Sequence, residues 1–208
     1  MFKIFSFILL ASILLANTKY PTFSKKELIQ IKQKNIIAKN RIVYYEENLK
    51  NLQGKTKTTQ LKEINFQLNR LLPQYDSVIN KTADSWATPK EFLKIGYGDC
   101  EDYVIIKYYS LIKLGFSKKK LFLTIVKEKY KGGYHMVLSY FNAKKSSPLI
   151  LDNLSFKILT LHQRVDLEAL LFINNTGVYK INEQNKLYKV AQRYKEFEQL
   201  KRKIAKNL

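Results

Sequence analysis

The chain has 208 residues, with 37 Lys or Arg against 17 Asp or Glu and a formal net charge of +20. That length suits one domain with a real core, and a hydrophobic fraction of 46 % with 12 Phe and 14 Tyr excludes a largely disordered chain. One cysteine excludes an internal disulfide, and one cysteine with two histidines falls short of the usual Cys/His zinc set.

Lys3 gives the start of the chain a positive charge, and residues 4–16 then run without any charge. The run is too short for an ordinary transmembrane helix and suits the apolar part of an export signal. Residues 1–20 are therefore read as a signal peptide. An uncleaved anchor is the alternative, because Leu14 is large where a cleavage site wants a small residue. Residues 21–208 are read as a single domain.

Residues 24–72 form its helical N-terminal part. Ser24 and Glu27 give a capping box, and Leu28, Ile31, Ile42, Tyr45, Leu49 and Leu52 recur at helical spacing. Residues 53–59 interrupt the pattern; Leu61, Ile64, Leu68, Leu71 and Leu72 resume it up to Pro73, which predicts a helical hairpin. Within the connecting region 74–95, Thr88, Pro89 and Glu91 predict a short helix ended by Gly96. Gly96 and Gly98 then permit a tight turn.

A helix follows from about residue 100 to 114, stopped by Gly115. Val104, Ile105, Ile106, Tyr108, Tyr109, Leu111, Ile112 and Leu114 cover most of its circumference, which predicts a buried central helix. Residues 121–130 and 134–141 read as a hairpin with a glycine-bearing loop, 148–154 as a third strand, and 169–175 with 178–182 as a second hairpin. Residues 187–206 read as a basic helix. Helices followed by a run of strands give an α+β class, with residues 100–185 as the core.

Three polar residues stand where these elements should be apolar: Cys100 at the start of the central helix, His135 on the second strand and Asp152 on the third. Strand alternation lets His135 and Asp152 lie side by side if their strands are antiparallel neighbours. A helix packed across that face would bring Cys100 to them, giving a nucleophile, a base and an orienting carboxylate. Taken singly, each has an ordinary explanation: small-residue packing, a core histidine, a strand-end turn. The competing histidine, His162, sits in a polar connection and is set aside. Asp99, Glu101 and Asp102 crowd negative charge around the thiol, although cationic neighbours are what favour a thiolate. Helix capping by Asp99, with Glu101 and Asp102 in the first turn, is one explanation.

The stretch WATPKEFLKIGYGDCEDYVIIKYYSL, then GGYHMVL, then LDNL resembles the bacterial transglutaminase-like cysteine proteinases, the LapG type of periplasmic protease. The resemblance covers roughly residues 70 to 185. It implies a papain- or transglutaminase-like fold, with N-terminal helices and a central Cys-bearing helix packed on an antiparallel sheet. It implies Cys100 as nucleophile, His135 as base and Asp152 as orienter. It also implies calcium, with Asp99, Glu101 and Asp102 matching the family's calcium motif. Calcium suits them physically, since it takes six to eight oxygen ligands, and it would remove the charge opposing the thiolate. The implied substrate is a large surface adhesin cut near its N-terminus, often beside a di-alanine, which promotes biofilm dispersal. The implied inhibitory partner is an inner-membrane cyclic di-GMP receptor of the LapD type. The high lysine content and the basic C-terminal helix depart from the family pattern.

The residues themselves leave other chemistry open. The same triad serves a transglutaminase or a peptidoglycan amidase, because acyl transfer and hydrolysis share their first step. A non-catalytic binding module with a basic surface is the reading from another class. No nucleic-acid motif accompanies the charge, so nucleic acid is not an expected partner, and the lysines read as a solvated surface.

Overall fold

The computed structural model describes residues 22–73, 86–130, 132–143, 146–184 and 186–206; the export signal over 1–20 and most of the connecting region before Thr88 lie outside them. Helix α1 (Lys25–Lys34) starts at Ser24, where the capping box with Glu27 closes in both directions. The first arm of the expected hairpin is broken in two. Asn35 takes an extended conformation, ends α1, and caps α2 (Ile36–Leu52) by accepting the Ala38 N–H at 3.0 Å. Short polar side chains offer the backbone this alternative to a continuous helix. Thr56 then caps α3 (Lys57–Leu68).

Next come β1 (Leu72–Pro73), α4 (Pro89–Ile95) and β2 (Tyr97–Gly98), with β1 and β2 paired in parallel. Helix α4 has the predicted Thr88–Pro89–Glu91 start and ends on Gly96, whose φ of 89° is left-handed. A side chain is also excluded there by packing, because the Arg41 guanidinium lies against Gly96 while donating to the Leu93 carbonyl at 2.8 Å. The central helix α5 (Cys100–Lys113) follows.

The rest is a seven-stranded antiparallel sheet and a last helix: β3 (Leu121–Glu128), β4 (Tyr134–Tyr140), β5 (Leu149–Asp152), β6 (Ser155–Thr160), β7 (Leu167–Asn174), β8 (Gly177–Ile181), β9 (Leu187–Ala191) and α6 (Lys195–Lys206). The order across the sheet is β6-β5-β4-β3-β7-β8-β9. Two strands differ from expectation. Strand β6 lies at one edge and is half exposed, so its sequence lacks a clear apolar alternation. Strand β9 takes the first part of the stretch read as a basic helix, because β8 offers it a ladder that local propensity does not reveal. Only Lys195–Lys206 is helical, with Phe197, Leu200 and Ile204 in the core.

Helix α5 lies on one sheet face. Its Val104, Ile105, Tyr108, Leu111 and Ile112 share the main core with Leu121, Leu123, Met136, Leu138, Tyr140 and Leu151. The opposite face carries a smaller cluster of Val126, Val137, Ile150 and Leu167. A lysine interrupts the apolar buried surface of α5: Lys107 is 0 % exposed and donates to Asn65 Oδ1 at 2.8 Å.

The turn leading into α5 is tightly packed. A Cβ added at Gly98 would come within 2.6 Å of Asp102 Oδ2 and 2.8 Å of its Cβ. Gly98→Ala is therefore expected to cost about 1–3 kcal/mol through overpacking. Thermal denaturation should show a drop in Tm of several degrees; an unchanged Tm would mean that this turn has room the packing does not show.

Candidate active site

The site forms where the N-terminus of α5 meets the start of β4. Asp99 stands at the N-cap of α5 with extended dihedrals, but its side chain makes no capping bond, contrary to the expected cap. Cys100 is the first helical residue and so stands at the positive end of the α5 dipole. Asp102 turns inward. It is 1 % exposed, and its Oδ1 accepts the Ala87 N–H at 2.7 Å, tying the approach to α4 onto α5.

His135 and Asp152 meet across β4 and β5. His135 Nε2 lies 2.8 Å from Asp152 Oδ1, and both residues are buried. The register pairs Leu138 with Leu151, so His135 and Asp152 are diagonal neighbours on one face. That face is the one opposite α5. His135 pairs with Val126, whereas α5 covers the face of Met136, Leu138 and Tyr140. The helix therefore does not lie across the histidine's face, as alternation alone suggested. Thiol and imidazole border one cleft at the strand end, where the Met136 backbone N–H bonds to the sulfur.

Asp152 is 0 % exposed, and a buried carboxylate needs compensation. Besides His135 it accepts the Leu154 N–H at 2.9 Å, and Arg164 Nη2 lies 2.9 Å from its Oδ2. Burial works against ionisation, but the His135 hydrogen bond and charge, the Leu154 N–H and the Arg164 charge prevail, holding the pKa at about 2. Lys107 is a second buried cation: burial pushes its ammonium down to about 7, and the Asp152 charge works against that shift. Asn69 Nδ2 reaches the Asp152 carbonyl at 2.7 Å and the Ser155 carbonyl at 2.9 Å, and Asn65 Nδ2 reaches the Ser155 carbonyl at 2.8 Å. Sequence reasoning missed Asn65, Asn69, Lys107 and Arg164. Three of them did carry a signal, since each interrupts an apolar helical stripe.

The thiol is held in its neutral form. Burial pushes the Cys100 pKa strongly up, and Glu101 pushes it further, with Sγ donating to Glu101 Oε2 at 3.2 Å; the Met136 N–H opposes them. Two lobes of one cleft open beside it, of about 290 and 220 Å³, and Cys100, Glu101, Tyr134 and His135 border both. Pro73, Asp99, Glu128, Asn153 and Leu154 complete the larger lobe. Trp86, Ile125, Met136, Tyr194 and Glu196 complete the smaller.

The three flanking carboxylates differ in their surroundings. Asp99 and Glu101 border the cleft, whereas Asp102 is committed to Ala87 in the core. Among the described residues no group of three His, Cys, Asp or Glu side chains converges as a metal site. His162 stands exposed in the turn after β6 and borders neither lobe.

A helix-start thiol beside a His–Asp pair on an antiparallel sheet is the layout of a transglutaminase-like cysteine protease. The chain belongs to the bacterial transglutaminase-like cysteine proteinase family (BTLCP), whose family model matches residues 39–165. The fold resembles Legionella pneumophila LapG in its calcium-bound state, at 27 % identity and a TM-score of 0.73, over 85 % of this chain and 98 % of that one. The EGTA-treated LapG matches at 28 % identity and a TM-score of 0.75, over 88 % of this chain and 99 % of that one. No curated protein matches the chain.

Asp102→Ala removes the carboxylate that accepts the buried Ala87 N–H at 2.7 Å. The variant is expected to lose about 1–3 kcal/mol of stability in EGTA, where no ion contributes. An unchanged Tm in EGTA would mean that the Ala87 N–H finds another acceptor.

Proposed function

We propose that this protease is an exported, periplasmic, calcium-dependent endopeptidase that cuts the N-terminal region of a large surface adhesin, releasing it and promoting biofilm dispersal. The observation that carries the catalytic part is the buried 2.8 Å His135–Asp152 contact bordering the same cleft as Cys100. The likeness to LapG and the apolar run at residues 4–16 support the substrate and the compartment. The same likeness supports an inhibitory inner-membrane cyclic di-GMP receptor as partner.

In this reading His135 takes the Cys100 proton and the thiolate attacks the scissile carbonyl carbon. Backbone N–H groups at the start of α5 face the oxyanion that forms. As the C–N bond breaks, the imidazolium returns its proton to the leaving amine, leaving a thioester on Cys100. His135 then deprotonates water, which attacks the thioester and frees the thiol. Asp152 holds the imidazole in one tautomer and balances its positive charge. Asp99, Glu101 and Asp102 fit calcium by chemistry and would hold it: three hard carboxylates at the start of α5, two of them at the cleft beside Cys100. Bound calcium would supply positive charge there, offsetting the Glu101 charge that opposes the thiolate.

Cys100→Ala and His135→Ala are each expected to lower cleavage of a purified adhesin N-terminal fragment by at least about 10³-fold, since the covalent route is lost. His162→Ala should stay near wild type. Substantial cleavage by the Cys100→Ala protein would sink the triad.

Calcium is tested separately. EGTA should suppress cleavage, and added calcium should restore it better than magnesium, which demands tight octahedral geometry and sheds water reluctantly. Glu101→Gln should need more calcium for half-maximal activity than wild type. Equal cleavage by wild type in excess EGTA would remove calcium from the mechanism.

A further inference from the structure

Arg164 lies in the turn between β6 and β7, beyond the strand that follows Asp152. The turn is well tied down. The Arg164 N–H donates to the Thr160 carbonyl at 3.1 Å and to the Leu161 carbonyl at 3.2 Å, and its own carbonyl accepts the Leu167 N–H at 3.0 Å. The Asp166 carbonyl accepts the Lys129 N–H at 2.9 Å, joining the turn to the end of β3. The guanidinium is fixed as well. Nε and Nη2 grip the two Asp166 oxygens at 2.9 and 2.7 Å, and the side chain is 12 % exposed. That fork leaves Nη2 2.9 Å from Asp152 Oδ2.

The two Asp152 oxygens are thereby divided. Oδ1 takes the His135 ring and the Leu154 N–H; Oδ2 takes the cation. A carboxylate on a single bond can rotate and present either oxygen. A rigid cation on one oxygen removes that freedom and offsets the burial of the charge. Asp166 matters because a long, flexible Arg side chain holds nothing in place unless it is itself held.

We propose that Arg164 is a positioning residue, which, locked by Asp166, holds and aims the Asp152 carboxylate at the His135 ring. The inference rests on the reading of Asp152 as the orienting carboxylate. Arg164 does not touch the reacting atoms and acts through Asp152 alone. The fork geometry, and not charge by itself, carries the role, so lysine is an incomplete substitute.

The test is a double-mutant cycle in the full chain with calcium present, reading kcat and KM on the adhesin N-terminal fragment. Arg164→Ala should lower kcat on the order of 10- to 100-fold, the scale set by misplacing a catalytic group, with KM little changed. Arg164→Lys should recover part of the loss. Asp166→Asn should fall between Arg164→Lys and wild type, and it serves as the probe if Arg164→Ala does not fold. In an Asp152→Asn background, the Arg164 and Asp166 substitutions should add almost nothing, because the group they act through is already gone. A parallel readout is the downfield proton resonance of the His135 ring N–H bonded to Asp152, which should weaken or move in Arg164→Ala. If the losses multiply in the Asp152→Asn background, or Arg164→Ala keeps wild-type kcat, Arg164 is only a turn lock and the proposal is overturned. If Asp152→Asn itself keeps wild-type kcat, the triad reading fails and takes the proposal with it.

Discussion

The structure depends on keeping one carboxylate charged inside the protein. Asp152 is fully buried at the end of a strand, where an isolated charge would be strongly disfavoured. Its neighbours answer that constraint from four elements: His135 on β4, Leu154 after β5, Arg164 in the β6–β7 turn, and Lys107 on α5. Asn69 on α3 holds its backbone carbonyl. The N-terminal helices, the central helix and the sheet edge are thus bound to one another through the surroundings of a single side chain.

The thiol poses the opposite problem. The Met136 N–H favours its ionisation, as a place at a helix N-terminus does in general, whereas burial, Glu101 and Asp99 oppose it. With Glu101 accepting the S–H, the balance lies on the neutral side. Asp102 accepts the Ala87 N–H and, packed against Gly98, fixes the turn that presents Cys100. A cation held beside these carboxylates, as proposed, would shift that balance toward the thiolate.

Charge is distributed unevenly between the surface and the cleft. The chain carries a net +20, yet Asp99, Glu101, Glu128 and Glu196 all border the two lobes beside Cys100. The lysines spread over the helices and the outer strand faces are a property of the solvated surface; the carboxylates belong to the site. Part of α6, read from sequence as a basic appendage, has a structural task. Phe197, Leu200 and Ile204 enter the core, Lys203 pairs with Glu91 on α4 at 2.8 Å, and Tyr194 stacks on Trp86 at the wall of the smaller lobe.

Much of this was legible in the sequence because it depends on neighbours within a few residues. The capping boxes at Ser24 and Thr88, the stop at Gly115, the hairpin of β3 and β4, and the order Cys100, His135, Asp152 all follow from local hydrogen-bonding chemistry and alternation. The family resemblance added the expected role of each of the three. What the chain could not disclose depends on long-range register and on which face a helix covers. Strands β6 and β9 exist because a neighbouring strand supplies the ladder. Asp102 points inward because Ala87 stands there to be bonded, whereas a helical pattern alone would leave it in the first turn facing solvent. Arg164 and Lys107 become partners of Asp152 only when a distant turn and a buried helix converge on the end of β5, and pairwise electrostatics between such groups is set by folded distance, which sequence separation does not encode.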